Sequence, residues 1–419
     1  MIMHSCRTTW LREVPDNWRI TTIGSLYTLR NEKVSDKDYP PLSVTMKGIV
    51  PQLESAAKTD DGDNRKLVKV GDFVINSRSD RRGSCGISAY DGSVSLINTI
   101  LTPREAMHPG YYNWLFHTSA FADEFYKWGH GIVDDLWTTR WQEMKHIVVP
   151  VPSMEEQQAI AAYLDEQCAL IDEAIAEAKA SIEEYKVWKA SIITEAVTKG
   201  IDKNIDVRES GVEWIGKIPS HWQVCRIKDC ATFSPTCDSS HLSSNSIVTF
   251  SPMDCIKNGY FINREETYGR IASSYTTFQE GDIAFAKVTP CFENGNIAIM
   301  TGLSNGFGFG SSELFILRAK TVETRYLFYF LQNEQFKQLG CSTMTGTGGL
   351  KRVSSNFVRN CYMPLPSVEE QLLIADYLDN MCNALRSIID EKHSLITDLE
   401  SYKRSLIYEV VTGKRKVVQ

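Results

Sequence analysis

The stretch VPVPSMEEQQAIAAYLDEQC (149–168) returns without a gap as MPLPSVEEQLLIADYLDNMC (363–382). The offset of 214 residues holds from Pro150/Pro364 through Tyr163/Tyr377 and Cys168/Cys382 to Thr198/Thr412, so each copy is an element of fixed length. Each opens with Ser followed three residues later by Glu (Ser153/Glu156 and Ser367/Glu370), which is capping-box chemistry, and Pro152 and Pro366 hold the preceding chain extended. Apolar residues then recur at heptad spacing. Leu164, Ile171, Ile175, Ile182, Tyr185 and Ile192 form the seam of the first helix, and Leu378, Leu385, Ile389, Ile396, Leu399 and Leu406 that of the second. Neither run is broken by proline, which predicts two helices of about 44 residues and roughly 65 Å, the length of coiled-coil elements. Lys189 and Lys403 sit at matching positions of the seam, either as snorkelling stems or as devices that fix register.

The intervening segments repeat more loosely. Val14-Pro-Asp-Asn-Trp18 answers Ile218-Pro-Ser-His-Trp222 at an offset of 204, and Gly71-Asp72 answers Gly281-Asp282 at 210. An offset that climbs to 214 is what loop insertions between related domains produce. Asp91-Gly92 and Asn294-Gly295 predict hairpins, and residues 110–128 and 322–339 predict amphipathic helices with glycine stops, their aromatics and Trp18, Trp214 and Trp222 filling cores. The expected organisation is α+β: a domain over 1–152, a long helix over 153–200, a second domain with its linker over 201–366 and a second long helix over 367–419. Antiparallel pairing of the helices within one chain gives two related globular domains separated by a two-helix coiled coil, with pseudo-twofold symmetry.

At 419 residues the chain exceeds what a single core usually holds. Eleven cysteines with no CxxC pair read as buried thiols of a reducing compartment. No signal-peptide core or membrane-length apolar run occurs, so a cytoplasmic protein is expected. The net charge of −7 is uneven: residues 1–150 balance, 151–200 carry −6, 201–366 carry +1 and 367–419 carry −2. The acidity therefore lies on the helices and leaves the domains free to meet a polyanion.

Motifs for catalysis are missing. There is no NPP or DPP loop for an adenine methyltransferase and no GxxxxGK[ST] phosphate loop. Gly306-Phe-Gly-Phe-Gly310 and Gly346-Thr-Gly-Gly349 lack the strand–turn–helix spacing of a nucleotide site, and Glu177-Ala-Lys179 lies on a helix face.

The repeated proline-flanked S-x-E-E-Q entry, the Tyr-Leu-Asp that follows, the long helices and the linker SGVEWIGKIPSHW (210–222) together resemble the specificity subunits of type I restriction–modification systems, over essentially the whole chain. The resemblance implies that the two domains are target-recognition domains, each reading one half of a split, asymmetric site in double-stranded DNA, the N-terminal one the 5′ half. It implies docking to two modification (adenine methyltransferase) subunits and to restriction (motor-nuclease) subunits. S-adenosylmethionine, ATP and Mg would then belong to those partners, with no cofactor or metal in this chain and no membrane association. A different reading, a coiled-coil interaction scaffold that does not read DNA, predicts helices that pair between chains, which light scattering distinguishes.

Base edges are read by Arg on guanine and Asn or Gln on adenine, while other polar groups hold phosphates. The candidates in the first domain are Asn76, Arg78, Arg81 and Arg82, in the loop after Gly71-Asp72, with Arg140 just before the long helix. In the second domain they are Lys287, Thr289, Phe292, Asn294 and Asn296, with Thr345, Thr347, Lys351 and Arg352 just before the second helix.

Overall fold

The computed structural model describes all residues except 1–2, 6–7, 9, 53–61, 79–81, 132–136, 272–274, 347–348 and 418–419. The capping signals and heptads produce two unbroken helices, Met154–Lys199 and Val368–Val411, of 46 and 44 residues. At the first, Ser153 Oγ accepts from the Glu156 amide (3.2 Å) while the Glu156 carboxylate accepts from the Ser153 amide (3.0 Å). At the second, Ser367 Oγ accepts from the Glu370 amide (3.2 Å), and the Glu370 carboxylate receives the Trp222 indole N–H (2.9 Å) and faces His221 Nε2 (2.9 Å). Both helices end on a glycine in the left-handed region, Gly200 (φ +80°) and Gly413 (φ +73°), which closes the last turn without a Cβ clash.

Contacts divide the chain into two compact units, Met1–Lys179 with His393–Gln419, and Ala180–Lys392, so each unit takes part of both helices. Within the first unit Lys403 Nζ meets Asp172 at 2.6 Å and Lys179 Nζ approaches Glu400 at 4.0 Å, an antiparallel pairing of the two helix segments. Within the second, Lys392 lies over the Tyr185 ring at 6.0 Å while Lys189 lines a cleft with Cys382 and Arg386, so the segments again run antiparallel. The seam residues are buried or half-buried throughout; Leu164 and Leu378 are 0% exposed.

Each unit holds a four-stranded antiparallel sheet with the same order. In the first it runs Cys85–Ile87, Phe73–Asn76, Asn98–Pro103, Tyr27–Arg30; in the second, Ile297–Ile299, Ile283–Ala286, Leu314–Ala319, Ala231–Phe233. The central strands, FVIN and IAFA, are buried on both faces, which is why they read as continuous apolar runs. The repeated Gly-Asp is the turn that starts each of them. Gly71 (φ +87°) and Gly281 (φ +82°) supply the backbone, and the buried Asp72 and Asp282 accept from the amides of Lys69 and Gln279, each at 2.8 Å. An arginine of the same sheet neutralises each carboxylate: Arg30 Nε to Asp72 at 2.8 Å, Arg318 Nε to Asp282 at 2.6 Å. These bonds push both guanidinium pKa values up.

A second sheet differs between the units, which accounts for the drifting offset. The first has Gly92–Val94, Arg65–Val68 and Lys33–Val34; the second has Arg264–Thr267, Ile247–Ser251, Phe307–Gly310 and Thr276–Gln279, including one parallel pair. Here the glycines of Gly306-Phe-Gly-Phe-Gly310 find their reason: a Cβ on Gly308 would stand 2.1 Å from the Phe278 ring.

Three local expectations are corrected. Asp91-Gly92 does not close a hairpin, because the strands on either side of it pair with partners in different sheets; Lys69 and the Val70 amide hold the Asp91 carboxylate instead. Asn294-Gly295 ends a ten-residue connection (287–296) between paired strands rather than a two-residue turn. The helices expected over 110–128 and 322–339 are each two, Pro109–Phe116 with Ser119–Lys127 and Thr324–Leu331 with Glu334–Ser342. Thr118 and Asn333 restart the chain by capping Phe121 and Gln335.

Candidate nucleic-acid interface

The chain leaving each central strand is stitched to the loop that precedes the long helix. In the first unit the Thr139 amide donates to Ser77 O (3.0 Å), Arg78 bridges Thr138, and His130 and Thr138 exchange backbone bonds of 3.0 Å. In the second, the Val353 amide donates to Lys287 O (2.9 Å), Val288 bridges Arg352, and Thr345 and Arg352 exchange backbone bonds of 3.1 and 2.8 Å. The two candidate loops of each domain thus form one continuous surface, built alike in both units.

In the first unit exposed Arg78 and Arg140 line a single cleft of about 350 Å³ with Lys66 and Asn31, edged by exposed Leu96 (41%) and Ile97 (36%). Burial lowers the Lys66 pKa, and its Nζ donates to Asn98 O at 2.8 Å. Sequence reasoning missed Lys66 and Asn31, although Lys66 was marked as unusual by standing in an otherwise buried strand, Arg65–Val68. Arg82 is exposed but occupied: it pairs with Asp123 and lies 4.9 Å over the Tyr126 ring. Asn76 is 4% exposed, and its Oδ1 accepts from the Arg78 amide (2.9 Å), so it shapes the turn that presents Arg78. Arg81 and Thr347 lie outside the described residues.

In the second unit Thr289 is the tie between segments. Its Oγ1 donates to Gly349 O (2.8 Å) and accepts from the Lys351 amide (3.1 Å). Arg352 forks onto Glu313 (2.9 and 2.6 Å), which holds that carboxyl below its ordinary range. Lys287 Nζ donates to Ser312 O (2.9 Å), and burial lowers its pKa. Lys351, Thr345 and Asn294 are exposed and Asn296 half-exposed, so they remain able to meet a ligand. Phe292 is not: at 4% exposure it belongs to the core, its ring against Phe336 and filling the space that a side chain at Gly340 would need. Placed among the DNA contacts by its position in a polar loop, Phe292 is instead the apolar anchor of that loop.

The surfaces offer cations and amides, groups that hold phosphates and base edges. Known proteins share parts of this sequence and its fold. Residues 219–397 match the family model described as the type I restriction modification DNA specificity domain. The chain is similar to type I specificity subunits in sequence and in fold. It is 32% identical over 163 residues to the EcoEI specificity subunit of Escherichia coli; that match covers 38% of this chain but only 27% of the relative. With the MjaVIII specificity subunit of Methanocaldococcus jannaschii the identity is 23% over 426 residues, covering 96% of this chain and 94% of the relative. A solved chain from a study of complex assembly and conformational transition of the type I R-M system shares the fold at a TM-score of 0.73 and 13% identity, with 96% of this chain and 99% of that chain covered. Among the described residues no helix is long and apolar enough to cross a membrane.

Proposed function

We propose that this protein is a non-catalytic DNA-recognition subunit of the type I specificity-subunit kind that reads a bipartite, asymmetric site, one half with each unit. The observation that carries the reading is the duplication: two sheets of identical strand order each present a stitched loop pair bearing Arg78 and Arg140, or Lys351 and Arg352. Two readers on one chain bind with high effective concentration only where the half-sites match the spacing the chain allows. The two long helices act as the spacer, an antiparallel coiled coil folded within the molecule, leaving unread base pairs between the halves. Two adenine methyltransferase subunits dock to the repeated elements, and motor-nuclease subunits complete the complex. S-adenosylmethionine, ATP and Mg serve those partners rather than this chain.

The test is to lengthen both helices by one heptad, about 10 Å of helix, and to map methylated adenines in a host carrying the partner subunits. Both half-sites are expected to persist while the gap between them grows. An unchanged gap refutes the spacer reading.

A further inference from the structure

The 214-residue repeat does not preserve the Lys403–Asp172 charge pair. Positions 189 and 403 correspond, as do 172 and 386. In the first unit Lys403 Nζ lies 2.6 Å from both oxygens of Asp172 on the facing helix segment. In the second unit the aspartate's position is Arg386, and half-buried Lys189 faces Arg386 and Lys337 instead. Burial lowers the Lys189 pKa most; the Cys382 thiol opposes this, while Arg386 and Lys337 lower it further, and no carboxylate is among the groups that act on it.

The nearby acids are already engaged. Lys337 pairs with Glu334 (2.6 Å) and Lys186 with Glu183 (2.7 Å), each within its own helix. Asp379 is taken by Arg325 (2.7 Å) and the Tyr329 hydroxyl (2.6 Å). Two adjoining clefts of about 740 and 490 Å³ share Lys189, Gln332, Cys382 and Arg386, so both cations border open space. Asn258 and Asn294 add amides to the wall of the larger cleft. A guanidinium beside an ammonium, with amide donors and with the lining carboxylates Glu323, Asp379 and Glu334 already paired to Arg325 and Lys337, suits a tetrahedral oxyanion: Arg binds two of its oxygens and Lys a third.

We propose that this cleft is a phosphate-type oxyanion site, held by Lys189 and Arg386, in which the ligand takes the place that Asp172 fills in the first unit. The phosphate comes either from a small free anion or from the backbone of a bound duplex; the second source rests on the DNA reading above.

The full chain is melted in inorganic phosphate and in chloride at matched ionic strength, as wild type, Arg386→Asp and Lys189→Met. Wild type is expected to gain a saturable increase in midpoint, about 3–6 °C at ten times Kd. Arg386→Asp recreates the Asp172–Lys403 pair, so it should melt above wild type in chloride and gain nothing from phosphate; Lys189→Met should also lose the response. The source is read from the salt dependence of duplex binding. A backbone phosphate predicts that Lys189→Met lowers the slope by about one relative to wild type and that inorganic phosphate competes with the duplex. A free anion predicts an unchanged slope in Lys189→Met, while wild type keeps its midpoint response to phosphate and the variant loses it. Equal melting of wild type in phosphate and chloride, together with an unchanged slope in Lys189→Met, overturns the site. If wild type with its partner subunits binds no duplex while the phosphate response persists, the DNA reading falls and the anion site stands.

Discussion

Replacing Tyr326 by Phe tests how a long helix is anchored at its end. The Tyr326 hydroxyl is wholly buried and shared between Val197 O (3.1 Å) and Pro364 O (3.0 Å). Val197 lies in the last turn of its helix, where carbonyls have no partner within the helix. Tyr111 does the same in the first unit, donating to Val411 O (3.0 Å) at the end of the other helix and reaching Pro150 O at 3.5 Å. Phenylalanine keeps the ring and its packing but strands a buried carbonyl that water cannot reach, a cost of about 1–3 kcal/mol. For a unit of this size that is roughly a 3–10 °C fall in midpoint. Scanning calorimetry of the full chain should show Tyr326→Phe lowering the transition of the second unit and Tyr111→Phe that of the first, with nearly additive effects in the double variant because the two sites share no partner. A midpoint for Tyr326→Phe within about 1 °C of wild type would mean that the helix end is solvated and the anchoring argument is wrong.

Phe292→Ala should act on stability rather than on recognition. Loss of a buried ring costs about 3–5 kcal/mol, so calorimetry should show a strongly lowered second transition; a stable variant with weakened DNA binding would return Phe292 to the interface. Glu156 gives a pH signature. Burial raises its pKa, but the Ser153 amide, the Trp18 indole and the Asn17 amide outweigh burial and hold it below the ordinary value. A depressed carboxylate contributes stability above its unfolded pKa and loses that contribution as pH falls through the folded one. The midpoint difference between wild type and Glu156→Gln should therefore be present at neutral pH and close below about pH 4; a difference independent of pH would refute the assignment.

The long helices were legible because their signals are local: a cap, a heptad and a glycine stop, written twice. The aromatic runs were legible as core, but not the breaks inside them, although Thr118-Ser119 and Asn333-Glu334 spell a stop and a restart. The candidate loops were found by composition and by position after the Gly-Asp turn. Their assembly was not legible, because the bonds that join Ser77 to Thr139 and Lys287 to Val353 span more than sixty residues. For the same reason Phe292 was misjudged, since the burial of a loop residue depends on Phe336 and Gly340, which lie far along the chain. The broken charge pair at Lys189 was hidden until the pairing of the helix segments placed Arg386 beside it.

The central claim, one reader for each half of a split site, is tested most directly by mapping methylated adenines in a host that carries the partner subunits, for wild type and for an Arg78→Ala/Arg140→Ala variant. Wild type should yield a motif of two short halves around unread bases, and the variant should relax or lose one half while the other stays intact. A continuous motif, or a variant that weakens both halves equally, would contradict the account.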